Sequence, residues 1–178
     1  MPRSPLFIAV ATVFLIGWGG NPSDSPLQAS GHSGQLQLSL NVPKAEYVMG
    51  EMVQVTMILR NVSPGPVALR PSTLRPFDFA VYDDSGQQIG TWAGGRPFPM
   101  APPLPITLQP GEVITRPLAW DLALPGPQGR KPLPPGRYGL EGFLSGSRDI
   151  RRGVGRLGVW PGVYPLPLRT PRLFITVR

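Results

Sequence analysis

The chain contains no cysteine, one histidine and two lysines. The missing thiols exclude disulfides, thiolate metal sites and cysteine nucleophiles together. With a single imidazole besides, most zinc and copper chemistry goes too, because those ions draw on imidazole and thiolate ligands. Charge is sparse as well, at 15% of 178 residues. A serine nucleophile needs a neighbouring base, and neither His32 nor Lys44 nor Lys131 sits in a recognisable motif. These shortages speak against an enzyme, and no cofactor is expected.

Proline and glycine, by contrast, are plentiful: 25 Pro and 22 Gly. That share borders on the composition of disordered chains, set at about 25–30% Pro plus Gly. The 41% of hydrophobic residues argues the other way and is enough for one core. The length fits a single domain.

At the N-terminus Arg3 precedes an apolar run over residues 6–16 and a small-residue stretch containing Gly17 and Gly19. This is the three-part pattern of a secretory signal over residues 1–20, with an uncleaved anchor as the alternative. Export is therefore expected, either secreted or held at the cell envelope by that segment. Trp18 stands where a lipoprotein box would carry its Cys, so no lipid anchor is expected. Residues 21–34 are polar, small and aperiodic, which predicts a flexible spacer holding His32 as a solvated side chain.

From Gln35 onward the hydrophobic period is two. Leu36, Leu38, Leu40 and Val42 alternate with polar residues, as do Val53, Val55, Met57 and Leu59. Phe77, Phe79 and Val81 repeat the pattern, and so do Tyr138, Leu140, Gly142 and Leu144. Shorter strands are predicted over 67–70, 87–92, 106–108, 113–120 and 172–178. Pro64-Gly65, Asp84-Ser85-Gly86, Pro110-Gly111 and Pro135-Gly136 supply the turns. Short strands at this spacing predict an all-β, antiparallel, immunoglobulin-like sandwich over 35–178. Of the 25 prolines only Pro117 falls inside a predicted strand. Tyr138 is either a tyrosine corner or an ordinary core residue.

Two segments break the rhythm. Residues 96–105 hold five prolines and display Phe98 and Met100 as apolar anchors. A loop of this kind suits either a rigid partner-contacting segment or a cover for a sheet edge. Residues 146–171 form an insertion. The stretch 148–178 carries seven Arg and one Asp, so nearly all of the formal +7 lies there. Within it Arg148, Arg151, Arg152 and Arg156 form a basic cluster suited to an anionic envelope polymer or lipid surface. Sparse aromatics and the expected export speak against nucleic acid. Gly153, Gly155 and Gly158 match a dinucleotide pattern without its strand and helix, and Pro161-Gly162 closes it. Asp78, Asp83 and Asp84 lack a calcium-binding loop around them. Asn61-Val62-Ser63 is formally a glycosylation sequon, for which a strand-end Asn is the more economical account.

In order along the chain come Tyr47, Gly50-Glu51 and Val53; Asn61; Pro66-Val67 and Leu69; Phe77-Asp78-Phe79 and Val81; Gly86, Trp92 and Phe98. Leu108, Pro110-Gly111-Glu112, Trp120-Asp121 and Pro135-Gly136 with Tyr138, Leu140 and Gly142 complete the run. This pattern resembles the BsuPI-type intracellular proteinase inhibitor domain over residues 36–144, with a last strand from 172–178. The segment Thr91-Trp92-Ala93-Gly94 and the Arg-rich insertion depart from it, and the N-terminal signal contrasts with the family's intracellular label. The resemblance implies a monomeric module with a protein partner, a protease, and no catalytic residues. The other reading is a non-catalytic envelope binding module that docks through its Arg-rich loop.

Overall fold

A computed structural model describes residues 25–178 apart from 70, 72, 73, 96–104, 127 and 145–167. Thirteen strands and no helix occupy the described residues: β1 (Leu27–Ser33), β2 (Leu36–Val42), β3 (Glu46–Tyr47), β4 (Val53–Asn61), β5 (Val67–Leu69), β6 (Phe77–Tyr82), β7 (Gln88–Thr91), β8 (Ile106–Leu108), β9 (Val113–Trp120), β10 (Ala123–Gly126), β11 (Gly129–Pro132), β12 (Gly136–Leu144) and β13 (Leu173–Val177). The strands make a four-stranded sheet ordered β1-β2-β4-β9 and a five-stranded sheet ordered β3-β13-β12-β6-β7. Two small hairpins, β10-β11 and β5-β8, complete the fold. All pairings are antiparallel except that of β3 with β13. The expected antiparallel sandwich is the fold observed.

Period-two sequence becomes a two-layer core because alternate side chains leave opposite faces of a strand. Val53, Val55, Met57 and Leu59 of β4 are fully buried, as are Leu36, Leu38 and Leu40 of β2. They face Phe79 and Val81 of β6, Leu140 and Leu144 of β12, and Ile175 and Val177 of β13 in one cluster. The layers approach closely at Gly142, where a Cβ would lie 3.0 Å from Met57 Cε and 3.4 Å from Leu40 Cβ. A side chain there would displace at least the Met57 methyl, so the glycine permits this close packing.

Tyr138 resolves its two alternatives. It is buried, and its hydroxyl donates to the Pro134 carbonyl at 2.8 Å, four residues upstream. That is a tyrosine corner, tying the start of β12 to its loop. Burial raises the phenol above its ordinary pKa, so the hydroxyl stays a donor.

The spacer expectation is corrected at residues 27–33. They form β1, pairing along their whole length with β2 from Leu27 opposite Val42 to Ser33 opposite Leu36. The sequence hides this strand because its inward residues are small. Ala29 is buried, and Gly31 lies so close to the Arg169 carbonyl that a Cβ would collide with it. Ser30 and Ser39 share a hydroxyl hydrogen bond of 2.8 Å across the pair. His32, paired with Gln37, is a strand residue with an exposed side chain.

The edges at β9 and β7 are blunted differently. Pro117, opposite Thr56, interrupts the outer rim of β9, and proline is tolerated there because an edge strand has one unpaired side. The edge strand β7 is flanked by β10, where Leu124 would meet a Cβ at Gly90 at 3.2 Å. That hairpin was not anticipated from the sequence, and it places Pro125 and Pro132 in strands.

Candidate functional site

The six residues expected to contact a partner, Phe98, Met100, Arg148, Arg151, Arg152 and Arg156, lie outside the described residues. So do residues 1–20 and the glycine pattern at 153–158. What the structure does place is the frame from which the 96–104 segment departs.

That frame begins with Asp78. It lies on the outward face of β6 yet is buried, and its Oδ1 accepts the amides of Phe79 at 2.8 Å and Ala93 at 3.0 Å. The second bond spans from the sheet to the turn after β7. Trp92 fixes the same turn from the other side: its amide donates to the Phe79 carbonyl at 2.9 Å, and its indole N–H donates to the Ala119 carbonyl of β9 at 2.8 Å. The Trp92 ring stacks on Phe79 at 6.4 Å, and Phe79 meets Trp120 edge-on at 5.2 Å. Gly94 and Gly95 then pass close to Pro125; a Cβ at Gly95, whose φ is +66°, would sit 2.8 Å from its Cβ. Four neighbours therefore define where the chain leaves the sandwich at residue 95. On the return side Ile106 of β8 pairs with Leu69 of β5.

Sequence reasoning missed Asp78 as a bracing residue. The available signal was an acidic residue between Phe77 and Phe79, a position that would face solvent in a half-buried strand.

A second exposed feature is a turn. Val48, Met49 and Met52 are 61%, 53% and 55% exposed on the turn leading into β4. Glu51 N donates to the Val48 carbonyl at 3.0 Å, with Gly50 at φ +83° supplying the conformation. The Glu51 carboxylate accepts from Val48 N at 3.1 Å and pairs with Lys44 at 2.7 Å. The hydrogen bond from Lys44 holds the Glu51 carboxyl below its ordinary pKa. The turn is thus a firm, apolar tip.

Other sequence motifs resolve into structure. Asn61 is buried, donates to the carbonyls of Gly65 and Leu108 at 2.8 and 3.0 Å, and accepts from the Ser63 amide at 2.9 Å. It is the strand-end residue expected and is closed to glycosylation. Asp83 accepts from the Ser85 hydroxyl at 2.6 Å and the Gln87 amide at 2.9 Å, which lowers its pKa and serves the turn. Among the described residues no group of three His, Asp or Glu side chains could hold a metal ion.

Fold and tyrosine corner together define an immunoglobulin-like β-sandwich. Residues 40–149, more than half of the 178, match the family model described as BsuPI, intracellular proteinase inhibitor. The chain belongs to the BsuPI family of intracellular proteinase inhibitors. This match overturns the expectation of export, because the family is an intracellular one. None of the curated proteins matches the chain. Similar solved structures include the C-terminal domain of wzt, at 11% identity and TM-score 0.45, covering 89% of this chain and 82% of that one. A β-glucosidase from Listeria innocua in complex with gluconolactone is similar at 15% identity and TM-score 0.41 over 80% of this chain. One from Erythrobacter marinus is similar at 13% identity and TM-score 0.40 over 84% of it. The chain spans only 16% of the length of each glucosidase.

Proposed function

We propose that this chain inhibits a protease by seating the loop that contains residues 96–104, with Phe98 and Met100 as anchors, against the enzyme. The observation that supports this reading is the bracing of the loop's departure point by Asp78, Trp92 and Pro125. A loop with a fixed root loses less freedom on binding, which is the main route to tight inhibition by a small module. Five prolines within 96–105 restrict the backbone further and resist cleavage. Arg148, Arg151, Arg152 and Arg156 act in this reading as steering charges that raise the encounter rate with an acidic partner.

The test is titration of a subtilisin-like serine protease with the purified chain. Stoichiometric loss of peptide hydrolysis is expected. Phe98→Ala with Met100→Ala should weaken inhibition by at least about tenfold, the usual effect of removing a buried anchor. Unchanged proteolysis at a several-fold excess of inhibitor sinks the reading. Full inhibition by the double variant moves the contact elsewhere.

A further inference from the structure

The outward face of the five-stranded sheet carries a second arrangement. Around Gly139, which lies opposite Tyr82 in β6 and Phe174 in β13, three arginines are held over three aromatic rings. The guanidinium of Arg172 sits 3.5 Å above the Tyr82 ring, that of Arg137 4.2 Å above Phe174, and that of Arg169 5.2 Å above Phe143. Glu141 lies between two of them, at 2.5 Å from Arg169 and 3.6 Å from Arg172. Asp84 stands at the border, 3.9 Å from Arg137.

Contact with a ring uses the face of a guanidinium and leaves its N–H edge for hydrogen bonds. Arg169 spends part of that edge on Glu141. Among the described residues, Arg137 and Arg172 donate no hydrogen bond to a protein acceptor; their carboxylate partners stand at 3.9 and 3.6 Å. Their side chains remain 58% and 38% exposed, and Phe174 between them is 43% exposed. Gly139 lets the side chains close over the floor: a Cβ there would touch Phe174, Tyr82 and Arg172 at 3.4, 3.5 and 3.6 Å. Rings restrain two forks, and the forks have unused donors. The result is a flat, partly apolar face rimmed by arginine, the composition that marks protein interfaces rather than small-anion pockets.

We infer that this face docks a protein surface bearing clustered carboxylates, with Arg137 and Arg172 each taking one carboxylate and Phe174 covering apolar area between them. The inference is independent of the loop at 96–104, which enters no step of it.

The test uses the full chain and a fluorescein-labelled octaglutamate peptide, followed by anisotropy. Arg137→Gln with Arg172→Gln should weaken binding about tenfold and flatten its salt dependence. Arg60→Gln with Arg116→Gln removes equal charge from the four-stranded sheet and should change binding less than about twofold. Equal losses in the two pairs would mean that only net charge matters, and the inference would fail. Arg137→Lys with Arg172→Lys keeps the charge but not the fork, and retention of full affinity would also overturn it. Should the Gln variants fold poorly, the Nε–H resonances of Arg137 and Arg172 in the unaltered chain decide instead: they move on peptide addition or the site is elsewhere. Saturation of those resonances by inorganic phosphate, or tighter binding to phosphatidylglycerol vesicles than to the peptide, would equally overturn a protein partner.

Discussion

The two sheets present similar inner faces and dissimilar outer ones. On the four-stranded sheet β4 alternates cleanly, with Val53, Val55, Met57 and Leu59 buried while Gln54 and Arg60 are exposed. On the five-stranded sheet all six residues of β6 are buried, Asp78, Ala80 and Tyr82 included. The first outer face is more open, although Ser39 is buried and Thr56 and Ile58 are half-buried. The second is roofed, by Arg172 over Tyr82 and by the turn of Ala93 against Asp78. A covered outer face does more than pack: it fixes the loops that cross it and restrains the side chains displayed on it. Both proposed contacts, the segment rooted beside Asp78 and the face of arginines over rings, draw on that covered side.

The inner faces should behave as equals, and that gives the largest effects. Phe79 is fully buried and touches both Trp92 and Trp120, while Leu59 is fully buried on the opposite layer. Phe79→Ala should cost about 3–5 kcal/mol and Leu59→Ala about 2–5 kcal/mol. Denaturant unfolding measures both. A Phe79 variant losing under about 1 kcal/mol would mean that the sheets do not share one core.

The outer faces should separate. Asp78→Ala removes the acceptor for two amides, one of which, Ala93, belongs to a buried turn residue. Leaving a buried donor unsatisfied costs about 1–3 kcal/mol. Gln54→Ala on the other sheet should stay within about 0.5 kcal/mol, as exposed positions do. Protease titration adds a second readout, since loosening the root should weaken inhibition by the Asp78 variant beyond what its lost stability explains. Equal destabilisation by the two variants would erase the contrast between the faces.

The same contrast explains what could be read from the chain. Alternation in β2, β4 and β12, the turn dipeptides and the position of Tyr138 all follow from neighbours a few residues apart, and the sandwich was visible from them. Cover on the outward side of β6 comes from Arg172 and from the turn after β7, contacts that no periodicity announces. β1 escaped because Ala29 and Gly31 fill an inward stripe with almost no hydrophobic signal. The β10-β11 hairpin escaped because Pro125 and Pro132 read as loop residues, while its place beside β7 turns on Leu124 meeting Gly90. The N-terminal pattern suggested export, and membership in an intracellular family corrects it. Charge counting found Arg169 and Arg172 but neither Arg137 nor the rings beneath the three, because stacking partners sit on three different strands.

The smallest effect concerns the joint between β9 and the β10-β11 hairpin. Arg130 Nη2 donates to Asp121 at 2.6 Å and its Nε donates to the other carboxylate oxygen at 3.1 Å. This fork holds the Asp121 carboxyl below its ordinary range, chiefly through the Arg130 hydrogen bonds. A depressed carboxyl contributes its stability fully above the unfolded value, about 3.9, and loses it as pH falls through the lower folded value. Asp121 is 41% exposed, so screening limits the contribution to under about 1 kcal/mol. Asp121→Asn should therefore lower stability slightly at pH 7, by less in high salt, and narrow the gap to the unaltered chain as pH approaches 3. Thermal unfolding across that range reads the difference. A gap that widens toward acid would assign the joint to something other than this ion pair, leaving Leu124 and Pro125 to hold the hairpin against β7.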